Sequence, residues 1–310
     1  MHIAVTGGSG RLGRSVVRGL REAGLRVTSI DRTGSTDEQS VEADLTEPAQ
    51  AAAILHKLRP DALVHLAAIA VPFSAPERTI FGVNTGMGFT VLEAAIEAGV
   101  TRILVASSPT VLGYGRPGWQ PQSLPLDEHS EVQPHHAYAL SKVVLEKMVS
   151  SFALAHPQTR LASFRPCYVV APEEWQGAPT QQGHTIEERL ASPELAAVSL
   201  FNYLDARDAA SFVMAWLDAD SAPSGRCYFV SAADVMAVTP PADLLSTYLP
   251  EIAHLSDQLS GNGSLFSIEA AAQDLGWAPT RSWRNQLPAA ALERLGALTA
   301  DPASTERTFH

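Results

Sequence analysis

His2-Ile3-Ala4-Val5 is an apolar run of a length that suits a buried strand, and a glycine-rich turn, Thr6 to Gly13, follows it at once. Val16, Val17, Leu20 and Ala23 then recur at helical spacing, and Gly24 closes that helix. Leu25 to Ile30 reads as a second strand, and a third should end near Asp44-Leu45. Ala62 to Leu66 is a compact apolar strand, Phe81 to Ala98 a long helix, and Arg102 to Ala106 the next strand. Tyr138 to Ala155 predicts another helix and Leu161 to Phe164 a further strand. Strands alternating with helices predict an α/β fold, a doubly wound parallel sheet of the Rossmann type with ligands at the carboxyl ends of its strands. No internal repeat is visible.

From about Cys167 the rhythm breaks. Pro172 to Pro193 is polar and rich in Pro, Gly and Gln, which predicts a mobile loop. Phe201 to Asp205 reads as a strand returning to the main sheet, with Asp208 capping a helix that runs to Trp216. The remainder, to about Trp283, suggests a smaller mixed C-terminal substrate lobe over the catalytic face. The expected division is a nucleotide-binding domain at 1–166, rejoined by 200–217, and a substrate-binding lobe from 167–199 and 218–300. A polar tail at 301–310 reads as disordered.

Composition narrows the class. A net charge of −11 argues against nucleic acid or an anionic membrane as partner. There is no run of about 18 apolar residues, and the chain does not open with a basic-then-apolar signal. Two cysteines, Cys167 and Cys227, are too few for a disulfide scaffold or metal cluster and read as reduced, which suggests a cytoplasmic setting.

The strand–turn–helix–strand context gives the glycines a meaning. Gly7 permits the tight turn, Gly10 lets backbone N–H groups approach a pyrophosphate, and Gly13 lets helix and strand pack closely. Arg11 and Leu12 sit inside that turn, at the positive end of the helix. Asp31, at the end of the second strand, is placed to accept hydrogen bonds from a ribose and to repel a 2′-phosphate, so NAD is favoured over NADP; the neighbouring Arg32 pulls the other way. Asp44, next to Leu45, either faces the adenine or caps the following helix. Ala67-Ala68, after Leu66, are small enough to let a cofactor pass.

Tyr138 and Lys142 carry the chemistry. Residues i and i+4 share a helix face, so both should point into one cleft. A free phenol titrates near 10 and is a poor base at neutral pH. A nearby ammonium and a cationic nicotinamide both favour the phenolate, so its pKa should fall toward the working range. Ser107-Ser108, at a strand end, offers a hydroxyl for the substrate oxygen, with Ser108 preferred. His135-His136 precede the tyrosine and are placed to line the cleft; adjacent side chains point apart, so no metal site is expected.

Gly7, Gly10, Gly13, Asp31, His65-Leu66-Ala67-Ala68, Val83-Asn84-Thr85, Ser107-Ser108, Tyr138-Ala139-Leu140-Ser141-Lys142 and Arg165-Pro166 together resemble an extended short-chain dehydrogenase/reductase of the NAD-dependent epimerase/dehydratase family. Tyr203 to Asp208 and Leu275 to Pro279 also resemble recurring family segments. The resemblance implies a Ser108–Tyr138–Lys142 triad, NAD as cofactor, Asn84 beside it, and a Pro166 to Tyr168 loop touching the nicotinamide. It also implies a homodimer built from helices 81–98 and 138–155, with Val91, Leu92, Ala95, Val143, Val144 and Met148 suiting either that interface or the core. Pro109 and Thr110 stand where nucleotide-sugar dehydratases carry an acidic pair, which disfavours dehydration. Ser-Ser followed by Gly113-Tyr114 is similar to uronate dehydrogenases. Arg189, Arg226, Arg281 and Arg284 are the candidates for a nucleotide-sugar pyrophosphate, or are surface charge. The expectation is epimerisation of a sugar or nucleotide-sugar, with a sugar or uronate dehydrogenase releasing NADH as the alternative and a non-catalytic dinucleotide sensor as a remote one.

Overall fold

A computed structural model describes residues 1–33 and 37–300; the tail read at 301–310 lies outside the described residues. Strand β1 (His2–Thr6), helix α1 (Arg11–Glu22), β2 (Arg26–Asp31), β3 (Ser40–Glu42), α2 (Pro48–Leu58), β4 (Ala62–His65), α3 (Glu77–Glu97), β5 (Arg102–Ala106), α4 (Ala137–Ala155) and β6 (Arg160–Pro166) alternate through the first half. Then come β7 (Val169–Val170), α5 (Ile186–Ala191), α6 (Glu194–Ala197), β8 (Leu204–Asp205), α7 (Ala206–Asp218), β9 (Arg226–Val230), α8 (Pro241–Tyr248), α9 (Glu269–Leu275), α10 (Trp283–Gln286) and α11 (Ala289–Ala300).

Seven strands form one parallel sheet in the order β3-β2-β1-β4-β5-β6-β9. β1 is flanked on one side by β2 and on the other by β4, with Ile3 opposite Val27 and Ala62. The strand order reverses there, the switch point where a doubly wound sheet opens its ligand crevice. Strand side chains alternate between two cores, as a period of two requires. Ile3, Val5, Val27, Val64, Leu104 and Phe164 pack against α1 and α7. Ala4, Ile30, Leu63, Ile103, Val105 and Leu161 pack against α2, α3 and α4. Burial on both faces explains why these strands read as unbroken apolar runs.

α3 is long and apolar enough by length and composition to cross a membrane. One face of it packs into the core, with Ile80, Val91, Leu92 and Ala95 inaccessible to solvent, while Phe89 is exposed. Val91, Leu92 and Ala95 are therefore core residues.

Three expectations of the second half change. Leu204–Asp205 does not return to the main sheet; it pairs with Val169–Val170 in a separate two-stranded ribbon. The strand that does join the sheet is β9, Arg226–Val230, which pairs with β6. The cap of α7 is Asp205, whose side chain accepts from Arg207 N. A cap has to precede the helix in extended backbone, and Asp208 already lies in the first turn. Asp208 is buried and accepts from the N–H groups of Thr280 and Arg281, tying the C-terminal segment to α7. Finally, Pro172 to Pro193 contains α5, which opens on a complete capping box: Thr185 and Glu188 satisfy each other's backbone N–H groups.

Candidate active site

The carboxyl ends of β1, β2, β4, β5 and β6 open on a cleft of about 810 Å³. Among the predicted site residues, Gly7, Gly10, Arg11, Leu12, Gly13, Asp31, Arg32, Asp44, Leu45, Leu66, Ala67, Ala68, Ser108, Tyr138, Lys142, Pro166 and Tyr168 line it. Residues as far apart in sequence as Gly7 and Tyr168 meet there.

The glycine turn is shaped by close approach. Gly7 has φ +69°, and a Cβ on it would lie 2.7 Å from Ala67 N. A Cβ on Gly13 would lie 2.1 Å from the Gly7 carbonyl oxygen. Only glycine fits either place. No side chain caps α1, whose N-cap is Gly10, so the helix presents its positive end to the cleft. Arg11 reaches the segment after β6, donating to Val169 O (2.9 Å) and pairing with Glu174. The uncapped helix end and the glycine-only contacts fit a dinucleotide pyrophosphate.

Asp31 is fixed at the end of β2: its carboxylate accepts from Ser9 N at 3.1 Å and Arg32 N at 2.8 Å. Asp44 turns onto Thr46, accepting from its N–H (3.0 Å) and hydroxyl (2.7 Å), and these bonds hold its carboxyl below the usual range. α2 begins after Glu47, so Asp44 does not cap it. Asn84 departs from expectation. It does not line the cleft; its buried carboxamide accepts from Ile69 N (2.8 Å) and donates to Ile69 O and Ser141 Oγ (3.2 Å each). It braces the loop after β4 against α4.

Tyr138 and Lys142 lie one turn apart on α4, both buried. The Lys142 ammonium donates to Ala106 O at 2.8 Å and sits 5.7 Å from the tyrosine ring centroid. Burial brings the Lys142 pKa down to about 8, with Glu146 opposing. The Tyr138 phenol is pushed up to about 12 by burial, partly offset by a hydrogen bond with Ser108. The expected depression is thus not a property of the protein alone, because loss of water outweighs an ammonium directed at a carbonyl. Ser108 also caps the short 3₁₀ turn Pro109–Leu112, accepting from Thr110 N. Ser107 is the poorer candidate: its hydroxyl is spent on Glu146 at 2.5 Å, and Glu146 in turn holds Arg165 through two bonds of 2.8 and 2.9 Å.

His135 and His136 line the cleft, as read from the sequence. His136 caps α4, its Nδ1 accepting from Ala139 N at 3.1 Å, and its ring stacks on Tyr138 at 6.2 Å with an interplanar angle of 17°. Sequence reasoning assigned no role to His65 itself, which is buried with Nδ1 2.7 Å from Thr6 Oγ1 and Nε2 unpartnered. It also missed Asn202, which accepts from Tyr168 N at 2.8 Å and lines the cleft. His65 stands in the family segment His65 to Ala68, but neither residue's hydrogen-bond role is legible locally, because their partners lie 59 and 34 positions away. The candidate arginines are not equivalent. Arg226, Arg281 and Arg284 pair with Asp274, Asp208 and Asp234. Arg189 is neither surface charge nor salt-bridged: it is 0% exposed, and no carboxylate among the described residues lies within ion-pair distance.

Known proteins resemble this chain in sequence and in fold. A UDP-glucose 4-epimerase of Azospirillum brasilense is 28% identical over 163 residues, 50% of this chain and 45% of that protein. A GDP-6-deoxy-D-talose 4-dehydrogenase of Aggregatibacter actinomycetemcomitans is 33% identical over 153 residues, 49% of this chain and 48% of that protein. The chain thus spans about half the length of these curated relatives. A short-chain dehydrogenase/reductase superfamily protein from Agrobacterium tumefaciens, solved with bound NAD, shares the fold with a TM-score of 0.69 and 23% identity, over 97% of this chain and 99% of that one. The NAD dependent epimerase/dehydratase family description matches residues 3–231, and the chain belongs to that family.

Proposed function

We propose that this chain is an enzyme that oxidises and re-reduces a secondary alcohol of a sugar or nucleotide-sugar, inverting it, with Tyr138 as base. The supporting observation is that Tyr138, Lys142 and Ser108 meet in one cleft with the glycine turn and Asp31. The uncapped end of α1 and Asp31 would hold NAD, which when bound would supply the hydride acceptor and a cationic ring that favours the phenolate. Tyr138 takes the hydroxyl proton, Ser108 steadies the oxygen, and Lys142 holds positive charge beneath the phenol. The lobe formed by 167–199 and the segments after β9 would hold the sugar.

A second reading, a sugar or uronate dehydrogenase that releases NADH, is favoured by Ser107-Ser108 followed by Gly113-Tyr114 and by a dehydrogenase among the relatives. A homodimer through the outer faces of α3 and α4 fits their exposed Phe89, Leu140 and Leu154.

The test is absorbance at the NADH band while enzyme and NAD meet free sugars, uronic acids and nucleotide sugars. Absorbance that stays flat while NMR finds an inverted sugar is the expected result. Steady NADH accumulation would replace epimerase by dehydrogenase. An unchanged panel on both readouts would remove both.

A further inference from the structure

One turn along α4 from Lys142 lies Glu146, on the same helix face because the two are four residues apart. Its side chain is 12% exposed, and its carboxylate takes four donors. They are Ser107 Oγ at 2.5 Å, Arg165 Nε at 2.8 Å, Arg165 Nη2 at 2.9 Å and Cys227 Sγ at 3.7 Å. The bonds close a ring around the triad. Lys142 Nζ donates to Ala106 O at 2.8 Å, the next residue, Ser107, donates to Glu146, and one turn of α4 leads back to Lys142. Ser108, hydrogen-bonded to Tyr138, follows Ser107 on that strand end. Ser107 N donates to Phe164 O at 2.6 Å, which ties the same strand end to β6 beside Arg165. A buried ion pair is a weak fastener, since desolvation offsets much of its attraction and an apolar pair would pack as well. Its place directly against the segment that presents two members of the triad calls for another reason.

We propose that Glu146 is a positioning residue for the triad: its carboxylate fixes the strand end that carries Ser108 and sets a negative charge one turn from the Lys142 ammonium. This rests on the reading of the cleft as an oxidoreduction site and adds what holds the ammonium and the hydroxyl in place. The other titratable groups around Lys142 are uncharged at neutral pH. Burial drives His65, at the end of β4, down to about 3, and pushes Tyr138 and Cys227 up to about 12. α3 meets this part of α4 through Asn84, which donates to Ser141 Oγ, and its Glu77 accepts from Ala137 N at the start of the helix. Arg165 is held on Glu146, with its guanidinium 5.0 Å from the Phe229 ring and Glu128 also acting on it. Burial lowers Lys142, and Glu146 is the charge that opposes it.

The chain has three lysines, Lys57, Lys142 and Lys147, and the other two are exposed. Carbon-13 at lysine Cε therefore gives three NMR signals, and the one missing from Lys142→Met is Lys142. In the NAD-loaded full chain, Glu146→Gln should lower the pH at which Lys142 gives up its proton by about one unit, with Lys57 as reference. That variant strands Arg165 in the interior. Its companion, Glu146→Gln with Arg165→Met, removes both buried charges, a change that folds tolerate, and should show the same shift. Ser107→Ala cuts the hydrogen bond and keeps the charge. It should leave Lys142 unmoved and lower kcat roughly three- to tenfold on any sugar that the NADH and NMR panel finds turned over. On that sugar the alkaline limb of kcat/KM should move down with Lys142 in the Glu146 variants, which a packing role alone would not do. An unmoved Lys142 in a folded Glu146 variant, an alkaline limb that ignores its shift, or full kcat in Ser107→Ala overturns the proposal. A shifted Lys142 in a chain that turns over no sugar keeps the charge role of Glu146 and removes the oxidoreductase reading. Turnover with an unmoved Lys142 does the reverse.

Discussion

At the glycine turn the polar groups are organised before any ligand arrives. Asp31 is held by Ser9 N and Arg32 N, and Arg11 is paired with Glu174. In the segments after β6, Arg189, Asn202, Tyr168 and Thr180 each keep a buried polar atom without a hydrogen-bond partner, and Tyr168 and Asn202 line the cleft. The first region is made mostly of backbone, a turn and a helix end, whose conformation glycines fix locally. The second is made of side chains from separate segments, whose hydrogen bonds the chain itself leaves unmet. The difference is between a turn whose conformation is fixed locally and a cluster whose members come from far apart in sequence.

The contrast predicts that substitutions at the shared chemistry cost most. Replacing Tyr138 with Phe should lower kcat by about 10²- to 10⁴-fold, the usual worth of a positioned proton-transfer group, while NAD affinity by titration stays nearly constant. Full activity in that variant would mean another group is the base. Asp31→Asn comes next: it keeps an oxygen for Ser9 N–H but removes the charge. The ratio of kcat/KM with NADP to that with NAD should rise roughly ten- to hundredfold. An unchanged ratio would show that cofactor choice rests elsewhere, with Arg32 the next residue to test. Gly13→Ala should cost about 1–3 kcal/mol in denaturant unfolding, because its Cβ would sit 2.1 Å from Gly7 O. Gly86→Ala on α3, with nothing within 4 Å, should stabilise by roughly 0.5–1 kcal/mol instead. Equal effects of the two would dissolve the claim that the turn is sterically determined.

The same division governs what could be read from the chain. Gly7, Gly13 and Asp31 act within one βαβ unit, and Tyr138 and Lys142 within one helical turn, so spacing alone placed them in one cleft. Thr185 and Glu188 also carried a legible signal, since Thr-x-x-Glu is a helix start, but the Pro, Gly and Gln around them obscured α5. Leu204–Asp205 and β9 are both short apolar strands, and which joins the sheet depends on partners far away in sequence. Asn84 looked like a cofactor ligand because it sits in a family segment; its carboxamide is consumed by Ile69 and Ser141, contacts that no periodicity encodes. Arg189 read either as a pyrophosphate ligand or as surface charge, because one arginine on a polar segment gives no hint that its own segment folds over it.

A further effect, visible only as pH is varied, comes from His65, which is buried at the end of β4. Burial, with Lys142 adding to it, drives its pKa down from 6.5 to about 3, and its Nδ1 meets Thr6 Oγ1 at 2.7 Å. An unfolded chain would bind a proton near 6.5 that the folded chain refuses until about 3. Between those values the unfolded state holds more protons, so stability falls as the pH falls through 6.5 and is fully present above it. The slope from this one group approaches about 1.4 kcal/mol per pH unit. His65→Asn keeps a polar group for Thr6 but cannot ionise, so its denaturant midpoint should fall less than that of the wild type between pH 6.5 and 5.5. His2, His136 and His184 are lowered in the same direction, chiefly by burial, and should leave a residual slope in the variant. Superimposable curves would show that the pH dependence arises elsewhere, and that the folded chain tolerates a charged imidazole at this buried position.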